Sequence, residues 1–207
     1  MNDGHDSQSV VTEISGSIAT VRFNRPVQRN PLSLDTLQDL KRTTTALFAR
    51  AELQAVIFTG DDDVFASGAN IRELTQLDAE RALKFSKFGQ DLFQTIADAR
   101  QVTIAAINGY CMGGGLDLAL ACDIRVASTT AIFSHPGARL GIITGWGGTQ
   151  RLPRIIGRVR ALEFFVTARR YSSAAALQMG LISRVSDPVL ECALECAHEA
   201  IGVASLS

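Results

Sequence analysis

The sequence predicts an α/β fold on three observations. Short apolar runs bounded by glycine, proline or acidic turns recur along the chain. Stretches with helical spacing of apolar residues separate them, and such alternation marks an α/β domain. Third, 46% of the 207 residues are hydrophobic and 20% charged, a balance that supports a full-sized core and argues against disorder. No linker-like segment divides the chain. Residues 10–207 therefore read as a single domain after a flexible, polar N-terminus over residues 1–9.

The elements follow in order. Residues 10–14 and 18–23 alternate apolar and polar positions around Gly16, the pattern of a hairpin. Asn24-Arg25-Pro26 ends it, because proline fixes φ and has no N–H. Ser33 is placed to cap a helix over 34–51, with Leu34, Leu37, Leu40 and Leu47 close to helical spacing. Residues 55–59 form a short apolar strand stopped by Gly60 and the turn residues Asp61 to Asp63. A glycine-containing loop over 65–70 precedes a long helix over 79–98, which Gly89 need not interrupt. Residues 102–107 are apolar enough for a strand buried on both faces. They lead through Asn108-Gly109-Tyr110-Cys111-Met112-Gly113-Gly114-Gly115 into a helix over 116–121. Short strands are expected at 124–127 and 131–133. The turn Gly145-Trp146-Gly147-Gly148 then leads to Thr149 as the cap of a helix ending near Arg154. Helices over 158–168 and 173–179, a strand over 181–185 and a helix from Pro188 complete the chain, the last expected to lack anything to pack against. Strand-strand-helix units recur loosely, without an exact repeat.

Composition narrows the function. The formal net charge is −1 with both signs interspersed, so no nucleic-acid footprint is visible. Basic residues thicken between Arg151 and Arg170, which leaves a local anionic partner open. Cys111, Cys122, Cys192 and Cys196 form no Cys-x-x-Cys pair. They read as buried free thiols, with no metal site and a reducing compartment expected. The N-terminus resembles neither a signal nor a transit peptide, and no run approaches a membrane span, so the cytoplasm is the expected location.

Two loop-to-helix junctions rich in small residues can carry chemistry: Ser67-Gly68-Ala69-Asn70 and Gly113-Gly114-Gly115. Glycine permits close approach of the backbone to a ligand, and the first turn of a helix has N–H groups without intrahelical partners. Two such groups converging on one point would stabilise a developing oxyanion. Taken alone, a triple glycine reads first as a tight turn. The G-x-G-x-x-G of a dinucleotide-binding fold is missing here.

Together the motifs carry a resemblance. Phe23-Asn24-Arg25-Pro26 with Asn30, Phe65-Ala66-Ser67-Gly68-Ala69-Asn70-Ile71, Asn108-Gly109-Tyr110 through Gly113-Gly114-Gly115-Leu116-Asp117-Leu118-Ala119, and Phe133 through Gly147-Gly148-Thr149-Gln150-Arg151-Leu152-Pro153 resemble, in order, the motifs of the crotonase (enoyl-CoA hydratase/isomerase) family. The resemblance implies a ClpP/crotonase-like spiral of strand-strand-helix units forming two roughly perpendicular sheets. It implies an acyl-CoA or enoyl-CoA substrate, with CoA part of the substrate and no separate cofactor. It places the thioester oxygen between the N–H groups of Ala69 and Gly114, with Ser67, Gly68, Asn70, Ile71 and Arg72 along the substrate. Arg25 and Arg29 are candidates near the nucleotide phosphates, or solvated surface groups. The resemblance also implies a homotrimer or hexamer.

Two departures stand out. The family's pair of catalytic glutamates falls on Asp117, which keeps a carboxylate, and on Gly137, which has neither acid nor base. Hydration needs both groups positioned, so an isomerase or another reaction using one carboxylate fits better. Decarboxylation, needing only the oxyanion hole and an orienting group, and a non-catalytic acyl-CoA binder remain alternatives. A serine peptidase built on Ser134 and His135 would need those neighbours paired in space. His135 reads first as a rim residue that packs or hydrogen-bonds, and as a substitute acid or base second. Asp123 suits a structural turn, Trp146 a core or pocket wall, and Tyr110 packing. The second departure is length: the family's further C-terminal helices are expected to be lacking.

Overall fold

A computed structural model describes residues 8–204. Most of the expected flexible segment 1–9 lies outside the described residues. The chain opens with the hairpin β1 (Val10–Ser15) and β2 (Ile18–Phe23), paired antiparallel across Gly16 at φ 58°. The short strand β3 (Pro31–Leu32) leads to helix α1 (Leu34–Phe48). Ser33 caps α1 as expected, its Oγ accepting from Thr36 N at 3.2 Å. Next come β4 (Ala55–Thr59), β5 (Val64–Ala66), β6 (Gly68–Ala69) and helices α2 (Ile71–Leu74) and α3 (Ala79–Ala97). The third stretch is β7 (Val102–Ile107), β8 (Tyr110–Met112) and α4 (Gly114–Ala121). The fourth is β9 (Ile124–Ala127) and β10 (Ile132–Ser134), followed by α5 (Gly148–Ile156) and α6 (Arg158–Thr167). Finally β11 (Tyr171–Ser172), α7 (Ser173–Gln178), β12 (Arg184–Val185) and α8 (Val189–Ala204) close the chain.

The topology explains the loose recurrence. In each of three successive units the first strand joins one sheet and the second joins another before the chain turns into helix. The order β1-β2-β4-β7-β9-β12 makes a six-stranded sheet, parallel from β2 onward. The order β11-β10-β8-β5 makes a four-stranded one, and β3-β6 a small third. This is a spiral of strand-strand-helix units.

Strands β4 and β7 show why the middle of the chain is so apolar. Val56, Phe58, Ala105 and Ile107 face the main core with Phe65, Phe93, Leu116 and Phe133. The alternate residues Ala55, Ile57, Ile104 and Ala106 face the opposite way into a second cluster. That second face is covered by α8, whose Val189, Cys192, Ala193, Cys196 and Ala197 recur at helical spacing and are buried there. The expectation that this helix lacks a packing partner is therefore corrected. A sheet buried on both faces requires a cover, and α8 is that cover. All four cysteines are free and buried. No described helix is long and apolar enough to cross a membrane.

Two local expectations also change. Helix α5 begins one residue before Thr149, with Gly147 at its N-cap in left-handed conformation (φ 103°) and no side-chain cap. The strand expected over 181–185 shortens to β12, because Ser183 N donates to Arg125 O and only Arg184 and Val185 pair with β9. Asp123 is structural: its Oδ2 accepts from Thr103 N and Oγ1, both at 2.8 Å, pinning the turn after α4 to β7.

Candidate active site

The site grows from two loops that the fold forces together. Asn30, 2% exposed, donates from Nδ2 to Val64 O (3.0 Å) and accepts Arg25 N at Oδ1 (2.8 Å). Its carbonyl accepts Ser67 N at 3.2 Å. Asn30 thus ties the Arg25 turn to the segment Ser67-Gly68-Ala69, which is further fixed as β6 against β3. From the other side α4 enters. Gly113 sits at its N-cap with φ 51° and donates its N–H to Ser134 O at 2.9 Å. Gly114 N–H, at the first helical position, has no intrahelical acceptor. The two loops touch at Gly68: a Cβ there would stand 2.9 Å from Gly114 N and 2.8 Å from Met112 O. Only glycine lets the backbone of β6 come this close.

Beside this contact opens a cavity of about 390 Å³. Ser67, Gly68, Ala69, Gly113 and Gly114 form one wall. Ile71, Leu74, Phe85, Ile142, Ile143 and Phe165 make it apolar, and Pro136, Gly137 and Thr144 line it as well. Trp146 closes the base. It is 4% exposed, packs edge-on against Phe93 (5.6 Å) and tilted against Phe85 (5.2 Å), and lies flat enough on α3 and α4 to exclude a side chain from both. A Cβ at Gly89 would fall 2.3 Å from its Cδ1, and one at Gly114 2.3 Å from its Cζ3. Trp146 is both core and pocket wall.

The expected residues divide into two groups. Ser67, Gly68, Ala69, Ile71, Gly114 and Gly137 line the cavity. Asn70, Arg72 and Asp117 do not. Asn70 Oδ1 caps α2 by accepting Arg72 N at 3.1 Å, its Nδ2 donates to Glu73 at 3.1 Å, and Arg72 is exposed. Arg29 lies over the Tyr110 ring at 4.6 Å.

Asp117 is fully buried behind the cavity wall. Thr144 Oγ1 donates to its Oδ2, while its Oδ1 stands 3.4 Å from His135 Nε2. Both of those facing atoms are buried without a hydrogen bond of ordinary geometry. Burial pushes the carboxyl up to about 7, against the opposing pull of Thr144, the Trp146 and Gly148 backbone and Arg151. Burial likewise pushes the His135 imidazole down to about 4. His135 is no rim residue. It is 3% exposed, packs on Phe165 at 5.0 Å, and lines the cavity. Among the described lining residues it is the one ionisable side chain. Thr144 carried no signal in the sequence; the apolar residues Leu140, Ile142 and Ile143 beside Gly141, which the structure places in the cavity lining, are the pattern that could have pointed to a pocket wall.

An α/β spiral whose apolar cavity is walled by two glycine-containing main-chain segments and one buried histidine fits a small organic substrate. The chain belongs to the enoyl-CoA hydratase/isomerase family, whose profile matches residues 13–205. It is 35% identical over 202 residues to the short-chain-enoyl-CoA hydratase of Clostridium acetobutylicum, covering 96% of this chain and 77% of that protein. It is 37% identical to the crotonyl-CoA hydratase of Syntrophomonas wolfei, over 87% of this chain and 70% of that one. Among solved structures it resembles DspI of Pseudomonas aeruginosa (TM-score 0.89, 33% identity, 94% of this chain and 81% of that one). It also resembles an enoyl-CoA hydratase of Bacillus anthracis (TM-score 0.88, 35% identity, 93% and 76%). The protein is thus an enzyme of the acyl-CoA-processing hydratase/isomerase type, on the crotonase fold.

Proposed function

We propose that this enzyme binds an acyl-CoA thioester with its carbonyl oxygen between the N–H groups of Ala69 and Gly114, and reacts it through the enolate. The observation that carries this is the contact of Gly68 with Gly114 N at the mouth of an apolar cavity. It brings two main-chain segments to one point where an oxyanion can be held, and the oxygen gains charge only on the way to the enolate, so such donors favour the transition state over the ground state. The apolar walls suit a hydrocarbon acyl chain. Position 137 is glycine and no carboxylate lines the cavity among the described residues, so bond migration within an enoyl-CoA fits this site better than addition of water, which needs a separate acid and base.

Enoyl-CoA thioesters incubated with the enzyme in heavy water and followed by mass spectrometry test this. Double-bond migration with deuterium uptake is expected to exceed water addition. Calorimetry should also show tighter binding of a CoA analogue carrying an anionic oxygen at the thioester position than of the matching thioether, which has no such oxygen. Equal binding of the two refutes the proposed hole.

A further inference from the structure

We propose that His135 is the group that moves the substrate proton, and that Asp117 is a positioning residue acting through His135 rather than on the substrate. This rests on the reading of the cavity as an acyl-CoA site. Three observations carry it. Of the two groups, His135 lines the cavity and Asp117 does not. Nε2 of His135 faces Asp117 Oδ1 at 3.4 Å, and both atoms are buried with no hydrogen-bond partner of ordinary geometry, which leaves each facing the other. With Nε2 turned to the carboxylate, Nδ1 is the ring nitrogen left for the cavity. The carboxylate is itself held in place, since its second oxygen takes the Thr144 hydroxyl. A base oriented by a third group is the arrangement general acid–base catalysis requires.

The step balances within the site. A C–H bond next to the thioester breaks and an N–H bond forms at Nδ1 of neutral His135. The released electron pair becomes the enolate, its charge on the thioester oxygen beside Ala69 and Gly114. The imidazolium formed is balanced by ionised Asp117, which accepts at Oδ1 from Nε2–H. Returning the proton to a carbon farther along an enoyl chain moves the double bond, and His135 is neutral again. No water and no second acid take part.

The charged and titratable groups around the pair are few. His135 meets the Phe165 ring on its other side. Asp117 is approached by Arg151 from α5 and Cys111 from β8. Arg151 is committed elsewhere, donating to Trp146 O at 3.2 Å and to Gln94 Oε1 at 3.0 Å. The Cys111 thiol is pushed well up by burial and stays protonated. Titration of the pair is therefore the titration that the reaction senses.

The test uses a saturated acyl-CoA in heavy water, which cannot isomerise but exchanges its α-hydrogens if the base works. Exchange by the intact enzyme should rise with pH as the carboxyl ionises. His135→Gln should slow it by roughly 10²–10⁴ while calorimetric affinity for the acyl-CoA persists. His135→Ala should regain exchange on adding imidazole. Asp117→Asn should lose the pH dependence, and imidazole should not restore exchange to His135→Ala when Asp117→Asn is also present. A structural role for Asp117 would leave the pH profile and the imidazole rescue untouched. Full exchange by His135→Gln, or an unchanged pH profile in Asp117→Asn, overturns the proposal. An enzyme that binds acyl-CoA but exchanges nothing overturns it as well, leaving the acyl-CoA site standing. One that binds no acyl-CoA refutes that reading itself.

Discussion

Gly89→Ala sets two physical effects against each other. Gly89 lies inside α3, where alanine is the better helix former by about 0.8–1.0 kcal/mol. Propensity alone therefore predicts a stabilised protein. The structure predicts the opposite, because the added methyl would lie 2.3 Å from both Cδ1 and Nε1 of Trp146 and 2.7 Å from Cε2. Phe85 and Phe93 hold the indole on α3, and it also lies over Gly114. Overpacking of a core costs about 1–3 kcal/mol, and three ring contacts this short put the cost at the upper end. After the helix gain is subtracted, a net loss of about 2 kcal/mol remains. For a chain of this size that lowers Tm by roughly 4–8 °C, readable by calorimetry or circular dichroism. The decisive arm is the same substitution in a Trp146→Ala background. With the indole gone, Gly89→Ala should turn stabilising by up to about 1 kcal/mol, leaving a coupling energy within the range of about 0.5–3 kcal/mol typical of contacting residues. A rise in Tm from Gly89→Ala in the unmodified protein would refute the placement of Trp146 on α3.

Three other outcomes are expected. Asp117 binds its proton more tightly folded than unfolded, about 7 against 3.8, so its contribution to stability is full below pH 3.8 and is lost as pH rises through 7. His135 is the reverse, about 4 against 6.5, with a contribution present above pH 6.5 and lost as pH falls through 4. Denaturation midpoints measured against pH should consequently climb from pH 4 to 6.5 in Asp117→Asn and decline from pH 4 to 7 in His135→Gln, and parallel profiles would contradict the two shifts. Gly137→Glu should not simply restore a second acid, because any Cβ at 137 stands 2.6 Å from Ile142 O. Gly137→Ala and Gly137→Glu should both lose about 1–3 kcal/mol in chemical denaturation, and an undiminished midpoint in Gly137→Ala would show that the 137–142 turn is slack. Ala193→Asp, which sets a carboxylate against β4 and β7, should cost roughly 3–5 kcal/mol, whereas Glu195→Asp on the exposed side of α8 should stay within about 0.5 kcal/mol; similar effects would mean that α8 is not seated on the sheet.

The strands that could be read directly were those whose pattern is local. Residues 55–59 and 102–107 announce themselves as apolar runs because both faces of the sheet are covered, and α1 announces itself through Ser33 and its leucines. Strands β3, β5, β6, β8 and β11 span two or three residues each, too few to show a period, and they exist only through partners far away in sequence. The same holds for the site. The glycines at 68 and 114 were legible as points of close approach, but not what approaches them: Gly114 meets an indole 32 positions later in the chain. Helical spacing set Asp117 in the first turn of α4 without revealing that this face turns into the core. Whether it could reach substrate depended on Thr144 and His135, which belong to the next unit of the spiral. For α8 a helix from Pro188 was legible, but not the sheet face that it covers, which lies on strands more than 60 residues earlier.

The donors assigned to the thioester oxygen are main-chain groups, whereas the side chain proposed to move the proton, His135, hangs from a separate stretch of chain. A peptide N–H is the same whichever residue supplies it, so the grip on the thioester survives substitutions that rewrite the proton chemistry. Gly137 illustrates this freedom, since it lines the cavity with neither acid nor base while the main-chain wall of Gly68, Ala69 and Gly114 stands opposite. Reaction type and substrate capture can therefore drift independently in this architecture. An engineer seeking a new outcome from the same enolate would vary 135, 137 and 144 and leave 68, 69 and 114 alone.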